Sequence, residues 1–294
     1  MQIASHNQLT ITGNSKVARR THHKNHKYSQ GKRLFNMVLP NFLLIGTAKG
    51  GTTSLYSYLN QHPQIYMSTN KEPGFFALEG EKLDYQGPDE AFSRTSVTDI
   101  DAYEKLFQGV NTEVAIGEAS PFYLYFPKVP ERIKHHIPNA KLIVSLRNPV
   151  ERAYASYMHN VRVGYENDTF EDSLEKELQR IQDNWIYLWH YKQCGLYYQQ
   201  LSRYFEIFSQ EQIQIHLFED LAQSTQATVQ SIFSFLEIDA TFVPDLSIVN
   251  ASGIPRSKLV HNLVDRGNPV RETLKAVVPD GLRKGIANQI RKLN

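Results

Sequence analysis

The stretch "FLLIGTAKGGTTSLYSYL", residues 42–59, constrains the fold more than any other part of the chain. Phe42-Leu43-Leu44-Ile45 is an unbroken apolar run, short enough for a strand buried on both faces. Gly46, Gly50 and Gly51 follow, then Thr52-Thr53-Ser54 and an amphipathic helical pattern. In a strand–loop–helix unit the loop N–H groups and the helix N-terminus converge on one point, making an anion site from backbone alone. A nucleotide triphosphatase loop requires G-x-x-x-x-G-K-[ST]. Gly46 and Gly51 have that spacing, but Thr52 occupies the lysine position and the lysine is Lys49. On this stretch alone, an ordinary strand-to-helix turn with a glycine pair is an equal reading.

The alternation continues downstream. Apolar runs at 114–116, 142–146 and 213–217, with a strand-like 64–67, are separated by amphipathic stretches at 53–61, 102–107, 130–136, 150–161, 170–182, 197–208 and 227–236. Short continuous strands between helices predict an α/β chain: a P-loop-type three-layer fold with a central, mainly parallel sheet flanked by helices. No internal repeat and no long linker divides residues 37–294, which are expected to form a single domain.

Charge is distributed unevenly. Residues 1–36 hold seven Lys/Arg, four histidines and no Asp or Glu. They read as a disordered basic extension, either an organelle-type leader or upstream sequence with Met37 as the natural start. The remainder carries 25 basic and 30 acidic residues, and a mildly acidic body argues against a nucleic-acid partner. No run of about 18 apolar residues is present, so no membrane span is expected and the body reads as soluble. Cys194 is the one cysteine. It excludes an intrachain disulfide and fits a reducing, cytoplasmic compartment. From Ile248 the chain turns irregular, and its last helical stretch presents Arg283, Lys284, Arg291 and Lys292.

A second element narrows the function. "LIVSLRNPVERAYASY" is another buried strand, ending at Arg147 and turning at Asn148-Pro149 into a helix. Ligands of open α/β sheets bind at the carboxyl ends of strands, and a guanidinium there suits a phosphate bidentately. Two phosphate sites at two strand ends suggest a nucleotide phosphorylated in two places.

"GTAKGGTTSL" and "SLRNPVERAYASY" together resemble the sulfotransferases that use 3′-phosphoadenosine 5′-phosphosulfate as sulfuryl donor. "KEPGFF" (from Lys71), "GEASPFYL" (from Gly117) and "VNASGIPRSKLV" (from Val249) are similar, in order, to the bacterial and heparan-sulfate-type branch. The resemblance spans residues 40–265. It implies that Lys49 contacts the bridging and sulfuryl oxygens, that Gly50, Gly51, Thr52, Thr53 and Ser54 cradle the 5′ group, and that Arg147 takes the 3′-phosphate. The family serine eight residues after that arginine is here Ala155; Ser156 follows it and is the candidate replacement. Gly253 and Arg256 fall in the segment that closes over the nucleotide. Glu72 is implied as general base, with Phe75 and Phe76 walling the site and His159 as an alternative base.

Sulfuryl transfer is an in-line displacement governed by positioning and electrostatics. A lysine at the bridging oxygen meets charge that grows in the transition state, which accounts for Lys49 lying inside the loop. The sulfuryl group carries less charge than a γ-phosphoryl, and no metal-ligand cluster stands out, so no metal is expected. The acceptor is expected to be a hydroxyl, first of all on a carbohydrate, held by the segments 76–99 and 162–193; the latter's Trp185, Tyr187, Trp189 and Tyr191 suit sugar rings, but equally lipid or phenolic acceptors or plain helix packing. Ala119 stands where heparan-sulfate enzymes carry a basic residue after Glu118, which argues against a heparin-like polyanion. Glu118 and Ser120 end the third strand on the ligand side. A P-loop kinase or NTPase would need a lysine at Thr52. A non-catalytic nucleotide- or glycan-binding module would be expected to lack one of Lys49, Glu72 and Arg147.

Overall fold

A computed structural model describes residues 38–88, 92 and 95–247. The basic extension at 1–36, Gly253, Arg256 and the basic final stretch lie outside the described residues. Five strands form one sheet: β1 (Phe42–Gly46), β2 (Ile65–Met67), β3 (Ala115–Ala119), β4 (Lys141–Leu146) and β5 (Ile213–Leu217), in the order β2-β3-β1-β4-β5. Every pairing is parallel. Parallel neighbours need crossovers, supplied by the helices between them. The strand order reverses around β1, so the carboxyl ends of β3, β1 and β4 adjoin one another at the switch point where such sheets bind ligands.

Alternation of side chains across the sheet creates two cores. Leu43 and Ile45 of β1 and Leu142 and Val144 of β4 face a cluster with Phe75, Phe76, Tyr103, Tyr123, Trp189 and Tyr204. Phe42, Leu44 and Ile143 face the other way, against Leu55, Leu59, Ile232 and Phe233. Gly117 in β3 permits this packing, since a Cβ there would lie 2.2 Å from the Phe42 ring.

Among the described residues, the first five helices are α1 (Thr52–Leu59), the short α2 (Phe75–Leu78), α3 (Ile100–Lys105), α4 (Val129–His136) and α5 (Pro149–Arg162). α5 starts where expected: the Asn148 side chain accepts from the N–H groups of Val150 and Glu151, and Pro149 occupies the first turn. The single helix expected over 170–182 is instead two, α6 (Phe170–Glu175) and α7 (Glu177–Gln182). α8 (Tyr197–Phe205), α9 (Phe218–Gln223) and α10 (Thr225–Phe235) complete the order. α2 and α9 have one or two turns each, too short for a periodic pattern to register.

Candidate active site

The loop between β1 and α1 is pinned to β4 through backbone. Thr47 N–H donates to the Ser145 carbonyl at 2.7 Å and Gly50 N–H to the Thr47 carbonyl at 2.9 Å. The Ser145 hydroxyl donates to the Gly50 carbonyl at 2.6 Å. A Cβ at Gly50 would sit 2.5 Å from the Ser145 carbonyl oxygen, so only glycine fits. Gly51, at φ 86°, caps α1 without a side chain. The first-turn N–H groups of α1 therefore lack intrahelical acceptors and point outward with the positive end of the helix dipole. Thr52 is buried at this helix start, while Thr53 and Ser54 are half-buried.

Lys49 lies in the same loop at φ 70°. Burial pushes its ammonium down to about 8; the Glu72 carboxylate opposes this, while Arg162, Arg152 and Lys71 reinforce it. Glu72 reaches this point from the loop after β2. Its N–H donates to the Ala119 carbonyl at 3.1 Å, and its own backbone is left-handed, at φ 61°. Its carboxylate lies 3.4 Å from Lys71 Nζ, and Lys71 Nζ in turn donates to Thr53 Oγ1 at 2.6 Å. Lys71 thus ties the carboxylate loop to the first turn of α1.

Arg147 ends β4 beside the same loop. Its guanidinium stacks on Phe218, 4.6 Å from the ring centroid, and Nη1 lies 3.5 Å from the Lys49 carbonyl oxygen. Nε and Nη2 contact Glu151 at 3.3 and 3.2 Å. That carboxylate, one helical turn on, is largely exposed, so an anion can displace it at small cost.

α5 brings His159, the alternative base, and adds two residues not expected from sequence, Arg152 and Arg162. Burial, then the charges of Lys49 and Arg162, hold the His159 imidazole down to about 4. It is therefore neutral near pH 7, and its Nδ1 lies 3.1 Å from Arg162 Nη2. So low a pKa makes it a weak general base. Arg152 is buried, donates to the Tyr191 carbonyl at 2.8 Å, and has no carboxylate partner among the described residues. The outcome is a concentration of cations around Lys49, with Glu72 as the opposing charge. Spacings of seven and three residues, two turns and then one, along the helix that follows β4 were the available signal.

Other expectations are corrected. Ser156 is buried and its hydroxyl donates to the Leu188 carbonyl at 3.1 Å. A residue turns about 100° along a helix, which sets Ser156 on the inward face of α5 with Arg152, Ala153 and Asn160. Phe75 and Phe76 are fully buried and pack on Tyr103, so they are core residues and do not wall the site. Trp189, Tyr191 and Tyr187 are core residues as well. Trp185 and Tyr187 do edge a cleft of about 420 Å³, together with Tyr85, Tyr125, Asn184 and Arg203. Among the described residues no cluster of three or more His, Cys, Asp or Glu could hold a metal ion, and no helix is long and apolar enough to cross a membrane.

Comparison with known proteins agrees with this geometry. A family model for the sulfotransferase domain matches residues 39–265, and the chain belongs to that family. A solved sulfotransferase from Alicyclobacillus acidocaldarius is 41% identical with a TM-score of 0.70, the match covering 76% of this chain and 90% of that one. Carbohydrate sulfotransferase 15 of Mus musculus is 28% identical, over 71% of this chain and 46% of its own length. Membrane-associated sulfotransferase kil1 of Dictyostelium discoideum is 36% identical, over 43% of this chain and 24% of its own. The chain therefore spans less than half the length of the curated relatives it matches.

Proposed function

We propose that this chain transfers a sulfuryl group from 3′-phosphoadenosine 5′-phosphosulfate to an acceptor hydroxyl, with Glu72 as general base and Lys49 stabilising the leaving group. The observation that carries this is the convergence of Lys49, Glu72 and Arg147 from three separate strand ends on one edge of the sheet.

The fit of a doubly phosphorylated nucleotide rests on the chain's own groups. The uncapped start of α1, with Gly50, Gly51 and the Thr52, Thr53 and Ser54 hydroxyls, would hold the 5′ group, and Arg147 the 3′-phosphate. The donor supplies an activated sulfur–oxygen bond. Lys49 offers its ammonium to the oxygen that gains charge as this bond breaks, an interaction strongest in the transition state. Glu72 takes the acceptor's proton. Lys71, bonded to Thr53 and beside Glu72, steadies both.

A carbohydrate acceptor is supported by the name of the relative carbohydrate sulfotransferase 15.

Thermal unfolding with 3′-phosphoadenosine 5′-phosphate, against ADP and ATP–magnesium, tests the donor. A ligand at about 100 times its Kd stabilises by roughly 2.7 kcal/mol. Stabilisation by the 3′-phosphorylated nucleotide alone is expected; stabilisation by ATP–magnesium would favour a kinase instead.

A further inference from the structure

Glu118, the fourth residue of β3, is fully buried, and it makes no ion pair with any described residue. An isolated buried carboxyl is costly unless hydrogen bonds compensate it. Three hydroxyls do so here. Ser120 Oγ donates to Oε2 at 2.8 Å, Tyr103 Oη to Oε1 at 3.3 Å, and the Tyr123 hydroxyl also bonds the carboxyl.

Two of these hydroxyls do a second thing. Ser120 Oγ accepts the Gly74 N–H at 3.1 Å, and Tyr123 Oη accepts the Phe76 N–H at 3.2 Å. A hydroxyl has one proton and two lone pairs. Spending that proton inward on Glu118 leaves an acceptor facing outward, toward the turn that follows Glu72. The carboxyl thereby sets the direction of both relays. The turn needs such support: Glu72 at φ 61° and Gly74 at φ 71° both have left-handed backbones, a conformation that a non-glycine residue keeps only when its surroundings enforce it. The Glu72 N–H is held in addition by the carbonyl of Ala119, next to Glu118 in the strand.

We propose that Glu118 is a positioning residue for the transfer: through Ser120 and Tyr123 it holds the Gly74–Phe76 turn so that the Glu72 carboxylate faces Lys49. The proposal rests on the reading of Glu72 as general base. Glu118 touches neither donor nor acceptor; it acts by fixing where the base stands. Its amide counterpart replaces one accepting oxygen by an N–H donor facing hydroxyls that now donate, so the network cannot keep all three bonds as they stand.

The test measures kcat, donor KM and affinity for 3′-phosphoadenosine 5′-phosphate in Glu118→Gln, Glu72→Gln and the double variant. Glu118→Gln should lower kcat by about 10- to 100-fold, in keeping with the cost of an ångström-scale misplacement of a reacting group, with nucleotide affinity unchanged. In the Glu72→Gln background it should lower the residual rate no further, because nothing is left to position. An unchanged kcat in Glu118→Gln overturns the proposal, as does an equal loss in both backgrounds. A wild-type rate in Glu72→Gln overturns the base reading and the positioning claim with it; a lost rate there beside a full rate in Glu118→Gln overturns positioning alone. Should Glu118→Gln not fold, Ser120→Ala cuts only the Gly74 relay. It should show the same split with a smaller kcat loss, and an unchanged kcat there overturns the proposal.

Discussion

The loop after β1 and the loop after β2 meet at the same edge of the sheet, and they are held there by opposite means. Residues 47–51 are fixed by backbone: carbonyls and N–H groups bonded to one another and to the neighbouring strand, with glycines where a side chain would collide. Residues 72–76 are fixed from beneath by side chains that arrive from far along the chain. Glu118, Ser120 and Tyr123 lie more than forty residues beyond the turn they hold. The first loop turns its N–H groups toward one point through a shape that is almost local. The second aims one carboxylate through a network that exists only when the sheet has formed.

Substitutions can break this contrast. Glu72→Gln should lower turnover by about 10²- to 10⁴-fold, the usual worth of a general base, while 3′-phosphoadenosine 5′-phosphate binds as before; equilibrium binding beside steady-state turnover separates the two. Gly50→Ala should do the reverse. With 2.5 Å to the Ser145 carbonyl the loop must shift, at about 1–3 kcal/mol of stability for such overpacking, and nucleotide affinity should collapse before chemistry can be measured. Intact affinity in that variant would show the loop to be adaptable. Arg147→Ala should remove about 1.5–3 kcal/mol of charge-assisted bonding, read as loss of preference for the 3′-phosphorylated nucleotide over its 5′-monophosphate counterpart.

The smallest expected effects are titrations, one for each loop. Burial holds Lys49 down to about 8, and a bound anion favours its charged form. Nucleotide affinity should therefore be level below pH 8 and weaken above it by up to about tenfold per pH unit, a slope that Lys49→Ala removes. Glu118 moves oppositely: burial raises it from 4.5 to about 7, its three hydroxyl partners only partly offsetting this and the Glu72 charge adding to it. A group raised in the fold contributes stability that is complete below its unfolded value and lost as pH climbs through the folded one. The melting temperature of wild type minus that of Glu118→Gln should thus fall between pH 4.5 and 7 and level off beyond.

Legibility followed the same division. β1 and β4 lie within a residue of the apolar runs that predicted them, because strands buried on both faces need nothing but apolar residues in a row; β5 also falls where expected, although only Ile213 of it is buried. Lys49 and Arg147 could be found because each stands at a strand end next to a glycine or proline turn. Ser156 could not, since one position along a helix moved it from the site to the core. Nor could the fates of Phe75, Trp189 and Tyr191: an aromatic in a connecting segment reads alike whether it meets a ligand or the protein interior.

By itself the sequence determined a parallel α/β sheet, the glycine turn after β1 and the displaced lysine, since each depends on residues within a few positions of one another and on backbone geometry that glycine and proline dictate. Only the tertiary structure decided which carboxylate faces that lysine, how α5 brings Arg152, His159 and Arg162 to it, and why Glu118 is buried. Those are contacts between elements distant in sequence, formed when β3, β1 and β4 assemble edge to edge, and no local pattern encodes them.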